Sequence, residues 1–179
     1  INEYKKYDIR KLVAYVPQEH LLFARSVKDN ILMGKIENAH IDLNYAIKMA
    51  DFEKDLVFLE DGLDTIVGEY GVTLSGGQKQ RLLIARALAN HPEILILDDS
   101  SSALDYKTDA NLRKAILQNL KDTTSIIVTQ RVSSVMNADL IIVLEEGEII
   151  GMGNHQDLLN TCEVYKEISE SQIGGSFID

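Results

Sequence analysis

Leu74-Ser75-Gly76-Gly77-Gln78-Lys79-Gln80-Arg81, followed sixteen residues after Gln78 by Ile94-Leu95-Ile96-Leu97-Asp98-Asp99, decides how this sequence folds. The first part opens a helix predicted over Gln78 to Ala89, with Leu82, Ala85, Arg86 and Leu88/Ala89 at helical spacing. Ser75 reads in two ways. It is a helix N-cap, or, with Gly76 and Gly77, it contributes a hydroxyl and unpaired amides to an anion site at the positive end of the helix dipole. The second part is an apolar, β-branched run that delivers two carboxylates at its C-terminal end, the end where ligands bind in open α/β sheets. A pair of acids there can hold the water shell of a magnesium ion and orient a nucleophile.

Working outward, further strands are predicted at Leu12 to Val16, Ser125 to Thr129 and Leu140 to Leu144, and a helix at Asp42 to Ala50 with Leu43, Ala46, Ile47 and Ala50 on one face. Continuous apolar runs suit strands buried on both faces of a parallel sheet, with helices between them, so the expected class is α/β. Leu140 to Leu144, then Glu145-Glu146-Gly147, then Glu148-Ile149-Ile150 reads as a hairpin with glycine in its turn. Glu145, Glu146 and Glu148 read as a solvated turn, and Gly174-Gly175-Ser176 as a flexible tail.

With 18 Lys+Arg against 28 Asp+Glu among 179 residues, the formal net charge is −10, which disfavours a general nucleic-acid clamp. The single cysteine, Cys162, rules out an internal disulfide framework and reads as an inert structural residue. No run reaches the roughly 18 apolar residues of a membrane span. His20, His40, His91 and His155 are scattered without ligand-like spacing, so no metal site is assigned to them. The start at Ile1 rather than Met suggests a piece of something longer.

From Val72 to Asp105 the sequence resembles the signature motif, Walker B strand and D-loop (Ser102-Ala103-Leu104-Asp105) of an ABC transporter nucleotide-binding domain. Val16-Pro17-Gln18-Glu19 resembles the family's Q-loop. Phe23 with Ser26-Val27-Lys28-Asp29-Asn30-Ile31 and Gly34 is similar to the phrase that follows the Q-loop in exporters. Gly68-Glu69-Tyr70-Gly71 looks like the exporter X-loop, with Tyr70 where a basic residue is common. The hairpin and Gly153-Asn154-His155-Gln156-Asp157-Leu158-Leu159 match the family tail, so the resemblance spans nearly all of the chain.

Two departures lie in one functional step. Where the family's hydrolysing sites carry Glu after the Walker B aspartate, this sequence has Asp99; where they carry the switch His, it has Gln130. A base must come within about 2.6–3.2 Å of its proton, and Asp is one methylene shorter than Glu. Gln can hydrogen-bond a phosphate but offers no protonatable imidazole. The P-loop pattern G-x-x-x-x-G-K-[ST] does not occur: the only Gly-Lys pair, Gly34-Lys35, has Asp29 at the required offset and Ile36 after it. In the family that loop precedes the point where this sequence starts, so truncation is the reading. The same resemblance places the P-loop strand beside the Walker B strand, which predicts that Ile94 to Leu97 has lost a neighbour and that the sheet has a bare, aggregation-prone edge.

The resemblance therefore implies a partial P-loop NTPase-like ABC ATPase cassette with a mostly parallel core sheet and a helical signature subdomain. Its expected parts are a core segment with the Q-loop (1–26), the helical subdomain (27–78), the Walker B half and tail (79–173) and a flexible end (174–179). The expected ligands are ATP and Mg2+. Gln18, Ser75, Gly76, Gly77, Gln78, Asp98 and Asp105 would contact nucleotide, with Gln18 and Asp98 on the metal and Asp99 and Gln130 in the base and switch places. A second cassette, in a heterodimer with one degenerate site, and a transmembrane domain reached through Gln18 and Glu69 are the expected partners, without nucleic acid. The expected location is the cytoplasmic face of the cell membrane. A soluble ABC ATPase of DNA repair or chromosome structure, an importer ATPase and a non-catalytic interaction module stay open; the phrase after the Q-loop and the tail argue against the first two.

Overall fold

The computed structural model describes residues 5–19, 21–34, 41–99 and 106–174. They fall into two compact units, residues 1–128 and 129–179.

The first unit begins with helix α1 (Lys6–Leu12) and strand β1 (Val13–Val16). Helices α2 (Val27–Leu32), α3 (Leu43–Met49), α4 (Glu53–Leu56) and α5 (Gly76–Leu88) follow, then strand β2 (Ile94–Asp98), helix α6 (Tyr106–Asn119) and strand β3 (Thr124–Val128). The strands make a parallel sheet in the order β1-β2-β3, with Val16 beside Leu97 and Leu97 beside Ile127. One face buries Val16, Leu95 and Leu97 with Leu82, Leu83, Ile84 and Leu88 of α5 and Leu112 and Ile116 of α6. Apolar side chains at period 2 on the strands thus meet apolar side chains at helical period, the packing expected of helices on a parallel sheet.

Three expectations are corrected here. Leu12 closes α1 instead of opening β1, so the strand starts one residue later. Among the described residues the other sheet face is exposed rather than buried, at Tyr15, Ile126 and Val128. Ile94 to Leu97 keeps both neighbours, because β2 lies in the centre of the sheet; among the described residues the unpaired edges belong to β1 and β3. That order is a long-range property, since β1 and β2 are joined through four helices, and no single strand's sequence encodes it.

Short polar signals start the helices. Ser26 Oγ caps α2 through the Asp29 amide, and Asp42 caps α3 through the Tyr45 amide. The end of α2 then packs so closely on α5 that a Cβ on Gly34 would lie 2.4 Å from the Arg86 carbonyl oxygen.

The second unit contains helix α7 (Val132–Val135), the antiparallel hairpin β4 (Ile141–Glu145) and β5 (Glu148–Gly153), and helices α8 (His155–Thr161) and α9 (Glu163–Gly174). The hairpin turn has Glu146 at φ 47° and Gly147 at φ 86°, the two positive values that match the twist of paired strands. Val132, Ile141, Val143, Leu158, Cys162 and Tyr165 form its core, and the Cys162 thiol packs against Gly151.

Candidate functional site

Parallel strands deliver their C-terminal residues to one edge, and in the first unit β1 and β2 bring Gln18, Asp98 and Asp99 there. Asp99 follows β2 with φ 38°, a left-handed conformation that Asp adopts more readily than most residues, and its amide donates to the Val128 carbonyl at 2.8 Å. The turn brings its carboxylate to Gln18, whose Nε2 donates to Asp99 Oδ2 at 3.4 Å. Asp98, half-buried at the last position of β2, accepts the Tyr15 hydroxyl on Oδ2 at 2.6 Å. The hydrogen bond to Asp98 raises the Tyr15 phenol above its ordinary pKa, with burial and the nearby negative charge acting in the same direction. The edge thus offers two carboxylates and the oxygen of an exposed primary amide, all of them oxygen donors. That set fits a magnesium ion, which takes one or two carboxylates and completes its shell with water and phosphate.

Ser75, Gly76, Gly77 and Gln78 form a second cluster at the start of α5. Ser75 Oγ accepts the Gln78 amide at 3.3 Å, and Gln78 Oε1 accepts the Ser75 amide at 2.9 Å, a reciprocal capping box. The two readings of Ser75 are compatible in this geometry. The capping box leaves the amides of Gly76 and Gly77 at the positive end of a 13-residue helix, and Ser75 and Gly76 are exposed.

Deeper contacts hold this helix in place. Arg81 of α5 makes a bidentate ion pair with Asp55 of α4, Nε to Oδ2 at 2.6 Å and Nη2 to Oδ1 at 2.8 Å, with both side chains buried. Arg86, one turn further along, donates to the carbonyls of Asn30 and Leu21 at 2.8 and 2.9 Å and to Asn30 Oδ1 at 2.7 Å. Burial lowers its pKa, since its partners are carbonyls and an amide rather than a carboxylate. Asn30 is fully buried; it accepts the Phe23 amide at 3.0 Å and donates to the carbonyls of Phe23 and Ser26. Residues 21–27 also run beside 65–72: Val27 donates to Thr65, Val67 to Arg25 and Tyr70 to Leu22. Gln18, the exposed Glu69 and the Ser75 turn are thereby parts of one hydrogen-bonded and packed unit. The sequence reading did not single out Tyr15, Asp55, Arg81 or Arg86 for these roles; a buried Arg in an otherwise apolar helix face was the available signal for the last two.

Gln130 belongs to the second unit. There the Gln172 side chain grips its loop, donating to the Gln130 carbonyl at 2.8 Å and accepting the Val132 amide at 2.9 Å. His91 stacks on Tyr45, and His155 Nδ1 lies 2.8 Å from the Tyr165 hydroxyl. Asp105, with the rest of 100–105, lies outside the described residues, as do His20 and His40.

The fold is that of an ABC ATPase cassette, and the chain belongs to the ABC transporter family, whose profile matches residues 1–102. It is 54% identical over 164 residues to the probable multidrug resistance ABC transporter ATP-binding/permease protein YheI of Bacillus subtilis (strain 168), covering 92% of this chain and 28% of that protein. It is 42% identical over 169 residues to the putative export ATP-binding/permease protein RP696 of Rickettsia prowazekii (strain Madrid E), covering 94% and 29%. The structure of a bacterial Atm1-family ABC exporter with ATP bound superposes with a TM-score of 0.83 at 34% identity, over 96% of this chain and 30% of that one. The chain thus spans about three tenths of the length of the relatives it matches. Among the described residues no helix is long and apolar enough to cross a membrane.

Proposed function

We propose that the chain is the larger part of the ATP-binding domain of an ABC exporter and works in a complete transporter with a transmembrane domain and a second ATP-binding domain. The observation that carries this is the placing of Gln18, Asp98 and Asp99 at the C-terminal edge of β1 and β2, in the same unit as a capped Ser75-Gly76-Gly77 turn whose Ser75 and Gly76 are exposed. Both relatives described above are named as ATP-binding/permease proteins, which supports the membrane partner.

In this reading residues 1–26, 27–78 and 79–173 are the core segment, helical subdomain and Walker B half with the tail. Asp98 and the Gln18 amide oxygen would hold a magnesium ion, which would supply neutralisation of phosphate charge. Asp99 stands in the base position and orients water. Gln130 takes the switch position, with its loop fixed by Gln172. Ser75, Gly76 and Gly77 donate to the γ-phosphate of an ATP held mainly by the partner, with Gln78 closing the cap and Asp105 at the dimer contact. Gln18 and Glu69 face the transmembrane domain, which places the chain at the cytoplasmic face of the membrane.

Asp99 and Gln130 both weaken water activation, since misplacing a base by about 1 Å can lower a rate about 100-fold. The site built on this chain's own carboxylates is therefore the slow one of a heterodimer, while its signature turn completes a competent site on the partner. Steady-state ATPase of the complete transporter tests this. Ser75→Arg, which blocks the turn, should nearly abolish hydrolysis, and Asp99→Asn should lower it by less than about threefold. If Asp99→Asn silences hydrolysis as fully as Ser75→Arg, Asp99 is a working base and the slow-site reading is wrong.

A further inference from the structure

Tyr15 is the third residue before Gln18 and sits on β1 opposite Ile96 of β2. Side chains alternate along strands, so Tyr15, Ile96 and Asp98 share one sheet face, and a tyrosine is long enough to reach the diagonal neighbour on the adjacent strand. It does so at 2.6 Å, the length of a hydrogen bond from a hydroxyl to a charged acceptor. Among the described residues Asp98 accepts no other side-chain hydrogen bond, and Oδ2 alone is held.

We propose that Tyr15 is a positioning residue for magnesium: its hydroxyl fixes the Asp98 carboxylate through Oδ2 and leaves Oδ1 presented to the metal beside Gln18 and Asp99. This rests on the proposed role of Asp98 as a metal holder. Carboxylate ligands are commonly oriented by a hydrogen bond to their second oxygen, and losing that partner lowers metal affinity even though the ligand itself remains. Phenylalanine keeps the ring and its contacts while deleting only the donor. The effect of Tyr15→Phe is therefore confined to Asp98.

The test is a Mn2+ titration of the complete transporter loaded with the non-hydrolysable analogue AMP-PNP, read by electron paramagnetic resonance, on wild type, Tyr15→Phe and Asp98→Asn. Asp98→Asn identifies the Mn2+ site that depends on this chain. Tyr15→Phe should raise the half-saturating Mn2+ concentration of that site about tenfold, the low end for outer partners of metal ligands, and leave AMP-PNP affinity in EDTA within about twofold of wild type. Unchanged or tighter Mn2+ binding overturns the proposal, and so does an equal loss of metal-free nucleotide affinity, which would make Tyr15 a structural or nucleotide contact. Loss of the site in Asp98→Asn without any change in Tyr15→Phe refutes the tyrosine's role alone. Survival of every Mn2+ site in Asp98→Asn refutes the assignment of Asp98 and this inference with it.

Discussion

Replacing Asp55 by Asn removes the carboxylate charge that faces the Arg81 fork in the bidentate pair between α4 and α5. Both side chains are buried, at 4% and 7% relative exposure, so the guanidinium cannot turn to water for compensation. Breaking one partner of such a pair costs about 3–5 kcal/mol, mostly the penalty of a buried charge left unpaired. For a chain of 179 residues, at about 2–4 °C per kcal/mol, the expected fall in melting temperature is about 6–20 °C. Replacing both partners, Asp55→Leu with Arg81→Met, removes the stranded charge and fills the space with apolar atoms, so most of the loss should return. Thermal unfolding followed by circular dichroism compares the three proteins. A single variant that loses less than about 1 kcal/mol, or a double variant no more stable than the single, refutes the reasoning.

Other outcomes follow from the same packing. Gly34→Ala forces a Cβ against the Arg86 carbonyl oxygen and should destabilise by about 1–3 kcal/mol in urea unfolding; a neutral substitution would show that α2 and α5 can separate freely. The chain by itself, without a P-loop, should show no saturable Mg-ATP binding at cellular concentrations in calorimetry, and micromolar affinity would contradict this. Burial raises the pKa of Tyr45, with Asp122 adding to the shift, and burial raises that of Tyr165. The native state thus keeps protons that the unfolded chain releases near pH 10, so this contribution is full below pH 10 and is lost as pH rises through the raised values. A tyrosinate absorbance titration with no late phase would contradict it.

Local chemistry made much of this fold legible in the sequence. Ile94 to Leu97 announced β2 by its apolar β-branched run, Leu43, Ala46, Ile47 and Ala50 announced α3 by their spacing, Ser75 announced a helix start by its capping oxygen, and Gly147 announced the hairpin turn. The order of the strands was not legible, because pairing β2 with both β1 and β3 depends on contacts across four helices on one side and α6 on the other. The same distance hid the supports of the site. Tyr15 and Asp98 are 83 residues apart, Asp55 and Arg81 are 26 apart, and Gln172 reaches Gln130 across 42. Only the register of two strands, or the packing of two helices, turns such residues into neighbours. The carboxylates themselves were visible, since a strand end fixes where its last residues lie.

The central claim is that this chain's own carboxylate site turns over slowly while its signature turn serves the partner's ATP. Counting the nucleotides occluded after a single turnover tests it most directly. The complete transporter is loaded with radiolabelled Mg-ATP, trapped with vanadate, freed of unbound nucleotide and quenched in acid, and the retained ATP and ADP are separated. The account predicts about one intact ATP for each ADP, with Ser75→Arg shifting the trapped nucleotide almost wholly to ATP. Two ADP and no ATP per transporter, unchanged by Asp99→Glu with Gln130→His, would contradict it.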